Sequence, residues 1–285
     1  MNDSCDTARN DAREPAAAAR RLATALHDRF GETFEIPADL AGIDELARIA
    51  GHATHRQWAD TPVDPALSRL LAACALSAPS KSDLQQADII ELRDPARREA
   101  LAALLPTLPW FASAPLVVLF CGNGRRFRRL FERAGQAFAN EHLDGFFNPA
   151  VDAALVMMNY LRAASAAGLV HCPISLLRDQ PAEVARILGL PAHVFPVAGL
   201  CVGHPVATRS VVPRLPLDET FHLDGFDDRG QDERIDGYDA RRAAIEAGWG
   251  RQNPQPWSQA KRAQYAQAHR ADWGAFVRGQ GFSTD

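Results

Sequence analysis

Wound as a helix, the stretch Asn148–Leu169, NPAVDAALVMMNYLRAASAAGL, is apolar on almost every face. A surface helix needs a polar side, and this one offers little beyond Asp152, Asn159 and Arg162. Those three residues also argue against a membrane span, so the helix must be buried on most faces by its own chain or clamped in a subunit interface. The remainder supplies enough material for either outcome: 285 residues, 47% hydrophobic and 23% charged, suffice for one large domain or two small ones.

Charge and cysteine usage exclude several classes. A formal net charge of -4 gives no global basic field for nucleic acid or a membrane surface. Cys5, Cys74, Cys121, Cys172 and Cys201 are scattered with no CxxC pair, which points to reduced thiols rather than a disulfide framework or a zinc site. His52 and His55 form the one close histidine pair and have no further ligand at sensible spacing, so no metal is expected. The amino terminus, MNDSCDTARNDAREP, lacks the basic start and apolar run of a signal peptide, and the expectation is a cytoplasmic chain.

Three segments follow from pattern. Residues 1–40 read as an extension, disordered to about residue 14 and then an alanine-rich helix over Pro15–Phe30. Residues 41–224 read as the core, with helices over 40–50, 65–77, from Pro95 and through 150–169, and strands in ADIIELR, PLVVLFC, VHCPIS and VFPVAGLCVGHP. Residues 225–285 read as a polar, wrapping tail: an acidic loop over Gly225–Gly237, then helical patterns over 239–247 and 258–278.

Two features mislead. LFCGNGRRF sets Gly122 and Gly124 between a strand and a helix, yet Phe127 stands where a dinucleotide-binding fingerprint needs its third glycine. Arg125, Arg126, Arg128, Arg129 and Arg133 could grip a cofactor phosphate, but such a run is more simply a solvated face with long stems over apolar surface.

Three polar clusters carry the chemistry: HATHR (52–56), APSKSDLQQ (78–86) and VPRLP (212–216). His52, Thr54 and Arg56 alternate, so an extended backbone turns all three to one side, toward an anionic, oxygen-rich ligand. Pro79 ends the preceding helix and leaves a polar loop to display its groups, and Arg214, stiffened by Pro213 and Pro216, suits a phosphate. In this order, followed by VDAALVMMNYLRAASAAGL, PISLLRD, LGLPAHVFPVAGLCVGHP and a final GQGF, the motifs resemble the FMN-dependent nitroreductase family, specifically its larger NADPH-using group.

That resemblance implies an α+β fold with a mixed central sheet flanked by helices, and an intertwined homodimer holding FMN. Residues 150–169 become the interface helix. His52 and Thr54 are expected near the ribityl phosphate, and Arg214 on the phosphate itself. Arg56 is expected at the N1 and O2 edge of the ring, where its charge stabilises the reduced, anionic flavin. Pro79, Ser80, Ser82 and Gln85 are expected to reach the flavin of the partner chain. Pro173, Ile174 and Ser175 lie along the ring, with a backbone N–H near Ser175 facing N5. The implied activity is ping-pong transfer from NADPH or NADH to a nitroaromatic, quinone or similar flat acceptor. A flavin storage protein and a flavin-fragmenting or dehalogenating enzyme are the alternatives. The chain departs from the family at Ala53, where an arginine is common, at Val212, where a lysine is common, at Ser175-Leu176, where a glycine pair is expected, and at Asp83, which replaces a neutral residue.

Overall fold

A computed structural model describes residues 3–37 and 39–285, with side chains described from residue 16 onward. The chain forms two compact units that cut across the sequential segments at 40 and 224: one combines residues 1–53 and 209–268, the other 54–208 and 269–285.

The larger unit is built on four strands, β1 (Ala87–Glu91), β2 (Leu116–Asn123), β3 (Val170–Ile174) and β4 (Val194–Gly203), in the order β1-β2-β4-β3. Every pairing is antiparallel, where the resemblance implied a mixed sheet. The strands of one chain pair without a parallel crossover, and the repeated βαβ units of a dinucleotide-binding fold are therefore absent among the described residues. β2 is buried on both faces because its side chains alternate. Leu116, Val118 and Phe120 join the core formed with α3 (Pro65–Leu76) and α6 (Asp144–Ala166). Val117 and Leu119 join Leu101 of α4 (Pro95–Ala103) and Val184 and Leu188 of α7 (Pro181–Leu188) on the opposite side. Helix on sheet on helix is the resulting layering.

Glycine matters at one point in β2. A Cβ on Gly122 would stand 2.4 Å from the end of the Phe195 ring, and that ring is fixed by Phe146 and Phe282 at centroid distances of 4.6 and 5.3 Å. Gly122 thus serves packing, which explains the incomplete fingerprint. The carboxyl-terminal Phe282 is itself buried, and Arg128 of α5 (Arg125–Arg133) lies over it while pairing with Glu141.

In the smaller unit, Ala18, Leu22 and Ala25 of α1 (Asp3–Phe30) meet Ile43, Ala47 and Ala50 of α2 (Ile43–Ala50). The expected disorder of residues 1–14 concerns residues 1 and 2, outside the described residues, and 3–14, whose backbone is helical. Alanine, arginine and glutamate before Pro15 favour that state. The tail differs as well. α9 (Gln231–Gly248) begins inside the expected acidic loop, because Asp232 and Glu233 favour a helix amino terminus. The last helical pattern splits into α10 (Trp257–Tyr265) and α11 (Trp273–Gly279), the latter in the larger unit.

Gly122→Ala should destabilise the protein by about 2 kcal/mol, because a confined ring must move to admit the methyl group. Thermal and urea denaturation of the variant measure this, and an unchanged midpoint would show that Phe195 is free to yield.

Candidate functional site

The smaller unit holds two of the sequence-predicted residues, His52 and Arg214, and a third residue joins them. Arg29, buried at the end of α1, donates from Nε to the Ala50 carbonyl at 2.6 Å, from Nη1 to the Val212 carbonyl at 3.1 Å, and from Nη2 to the His52 carbonyl. Its own carbonyl accepts the Arg214 backbone N–H at 2.7 Å. Arg241 of α9 then donates to the carbonyls of Arg29 and Arg214 at 2.9 and 2.7 Å, and the Tyr238 hydroxyl donates to Pro213 at 3.2 Å. Three guanidinium groups thereby gather where carbonyl oxygens are their partners. Among the described residues none of Arg29, Arg214 and Arg241 makes an ion pair. Burial first, and then the charge of Arg214, lower the pKa of Arg29. Arginines oriented by carbonyl oxygens suit an anion, with Glu32 acting on Arg241 and Glu35 lining the same cavity as Arg29 and Arg214.

The larger unit carries the remaining predicted residues, in two places. Around β3, the extended segment after residue 53 alternates as expected: His55 is buried, while Thr54 is half-buried and Arg56 is exposed. The His55 N–H donates to the His171 carbonyl at 3.1 Å, which lays Arg56 beside Cys172. Burial pushes the Cys172 thiol up, and Arg56 opposes that rise. Arg56 makes no ion pair among the described residues. Beyond β3, Pro173 is exposed, Ser175 is half-buried, and the Ile174 side chain belongs to the core, so only the Ile174 backbone is available to a ligand. Arg270 donates to Asp179 at 2.5 Å and to the Ser175 hydroxyl at 3.4 Å. Arg178, which donates to the Val197 carbonyl, lies near enough to Arg270 for each charge to feel the other.

The second place is the loop after α3. Ser82, Asp83 and Gln85 all have positive φ, at 51°, 57° and 50°. Three non-glycine residues in that region are costly, and such strain persists only where the surroundings fix it. Here the surroundings are one carboxylate. Asp152 of α6, 2% exposed, accepts from the Ser80 hydroxyl at 2.6 Å, the Lys81 N–H at 3.2 Å and the Gln86 N–H at 3.0 Å. The Ser80 hydroxyl also accepts the Gln85 N–H at 2.7 Å, and Arg126, paired with Asp88, donates to the Gln85 carbonyl. Pro79, Ser80 and Gln85 line a cavity of about 1210 Å³ that includes none of Thr54, Arg56, Pro173, Ile174 or Ser175.

Three residues important to this geometry escaped the sequence reading. Asp152 had a legible signal, since a carboxylate in an otherwise apolar helix must find donors. Arg29 gave only a basic group in a last helical turn. Arg270 gave none.

The family profile for the nitroreductase family matches residues 49–204, and the family's carboxyl-terminal domain profile matches 213–285. The chain belongs to the nitroreductase family. It is 31% identical over 206 residues to an FMN reductase [NAD(P)H] of Bacillus subtilis, covering 68% of this chain and 79% of the relative. An oxygen-insensitive NADPH nitroreductase of Salmonella typhimurium is 34% identical over 174 residues, covering 61% and 71%. Among solved structures, B. megaterium NfrA2 superposes with a TM-score of 0.80 at 30% identity, covering 85% of this chain and 98% of that one.

Removing the Asp152 carboxylate should release the strained loop. Asp152→Ala should cost about 3 kcal/mol and expose the loop after α3 to proteolysis. Urea unfolding together with limited digestion tests both effects. A loss under about 1 kcal/mol with an intact loop would show that the three bonds carry little.

Proposed function

We propose that this chain, as a homodimer, binds FMN and serves as an NAD(P)H-dependent oxidoreductase for flat acceptors such as quinones and nitroaromatics. The observation that carries the reading is the placement of cations: arginines held by carbonyl oxygens rather than ion pairs at His52 and Arg214, and an exposed Arg56 without an ion pair beside β3 among the described residues. These residues fit an anionic, phosphorylated cofactor whose ring gains negative charge on reduction.

Bound FMN would accept hydride from NAD(P)H and pass two electrons to the acceptor. The protein's contribution is binding and electrostatics. His52 and Arg214 hold the phosphate, and Thr54 contributes its hydroxyl. Arg56 sets a fixed positive charge at the N1 and O2 edge, which favours the charged, reduced ring. Pro173 and the backbone of Ile174 and Ser175 would line the ring, and a backbone N–H near Ser175 would be the donor to N5. Pro79, Ser80, Ser82 and Gln85 act on the flavin of the partner subunit. The cavity lined by Pro79, Ser80 and Gln85 includes none of the β3 residues, which supports that assignment. Few acids are required, because water can supply the protons.

The dimer rests on α6. One side of this helix, including Ala153, Val156 and Tyr160, is buried in its own core. The other leaves Phe147, Val151, Leu155 and Met158 exposed in a single stripe, with Phe147 at 56% and Met158 at 48%. Contiguous apolar surface at helical spacing suits a second copy of the same helix.

Anaerobic titration of FMN-loaded protein with NADPH and NADH should bleach the oxidised-flavin absorbance, and a quinone should restore it. A preparation that takes up no FMN would end the reading. Arg56→Ala should lower the flavin midpoint potential by on the order of 30–60 mV while leaving FMN affinity within about threefold. Lost binding with an unchanged potential would move Arg56 to a different role. Met158→Glu should give monomers in sedimentation and lose FMN, whereas a dimer as tight as the wild type would place the interface elsewhere.

A further inference from the structure

The family profile begins at residue 49, and the solved relative uses 98% of its own length to cover 85% of this chain. All of α1 precedes the first residue that the profile matches. Its last turn nonetheless reaches the two segments where the chain lacks the basic residues expected at Ala53 and Val212.

We infer that Arg29, carried on the amino-terminal extension, completes the phosphate end of the flavin site by tying the His52 backbone to that of Val212 and supplying a cation there. This rests on the FMN reading above and adds to it a residue from outside the matched region.

Four observations support the inference. The guanidinium spans the two segments directly, donating to the carbonyls of Ala50, His52 and Val212. The Arg29 carbonyl receives the Arg214 N–H at 2.7 Å, so the backbone of the phosphate-binding arginine is fixed by the same residue. Arg29 and Arg214 line one cavity of about 810 Å³ in the smaller unit. Finally, Arg29 and Arg214 are oriented by carbonyl oxygens and make no ion pair among the described residues, so no salt bridge competes with an anion for them. Hydrophobic contacts hold the arginine in place: Leu22 and Ala25 of α1 pack on Ala47 and Ala50 of α2.

Arg29 is 7% exposed, and three of its N–H groups already have carbonyl partners. It is accordingly a positioning residue. Its influence reaches the phosphate through the placement of His52 and Arg214 and through the charge it adds behind them. The extension then supplies the cation that the resemblance leads one to expect at position 53 or 212, and both departures have a common explanation.

A purely structural role would affect every flavin alike, so FMN and riboflavin, which differ by the phosphate, separate the two. Kd values for both are measured by flavin fluorescence on the full-length protein, with thermal melts as a check on folding. Arg29→Ala should weaken FMN by roughly tenfold or more and riboflavin by less than about twofold. Arg29→Lys, which keeps the charge and most of the stem, should retain part of the preference for FMN even where the melting temperature falls. Restoring a cation by Ala53→Arg in the Arg29→Ala background should recover most of it. Equal losses for both flavins in Arg29→Ala and Arg29→Lys, or an unchanged FMN preference in either, would overturn the assignment. Wild-type protein that binds neither flavin would overturn the FMN reading itself and this inference with it.

Discussion

One buried carboxylate fixes the shape of the loop on which the second half of the candidate site depends. The backbone of residues 82–85 visits the left-handed region three times without a glycine, a conformation a free peptide would leave at once. Asp152 prevents that by accepting two backbone N–H groups and a hydroxyl from a position deep in α6. Burying a charge is costly unless it is fully bonded, and here the loop supplies the donors. Loop and helix therefore impose each other's geometry. An apolar residue at 152 would spare the charge but leave three donors without a partner.

The same helix links this local arrangement to the whole molecule. Its inner side closes the core over β2 and β4, so its position is set by the most buried strands in the chain. Its outer side carries the apolar stripe. A loop anchored on α6 must therefore move with whatever covers that stripe, and β3, with its candidate residues, belongs to the same sheet that seats the helix. Apolar stripe, loop and sheet edge are all positioned by this one helix.

Much of this was legible in the sequence, and the exceptions have physical causes. Periodicity located α2, α3, α4 and the four strands because each shows a clear burial pattern or a proline stop, as at Pro65 and Pro79. It placed the start of α9 too late, since Gly237 and a run of acidic residues resemble a loop until their position at a helix amino terminus is known. It joined α10 to α11, because a polar helix broken at Arg270 with φ of 57° has no distinctive composition. The sheet's antiparallel pairing is a tertiary fact that strand pattern alone does not contain. At the site, the alternation of Thr54, His55 and Arg56 could be read directly, but Ile174 could not: it adjoins exposed Pro173, and only the pleat decides that its side chain turns inward. Arg29 lies 23 residues from His52 and 183 from Val212, beyond the reach of any local pattern.

Which arginines remain available to a ligand is decided by their partners rather than their number. The arginine helix attracts attention, yet Arg126 is paired with Asp88 and Arg128 with Glu141, and Arg234 and Arg242 of α9 are paired with Glu219 and Glu246. Each of these pairs removes a cation from competition for an anion. Arg214 has a carbonyl partner instead, and Arg29 behind it is held by three carbonyl oxygens, which orient a guanidinium without neutralising it. A chain of net charge -4 can therefore keep a concentrated positive site.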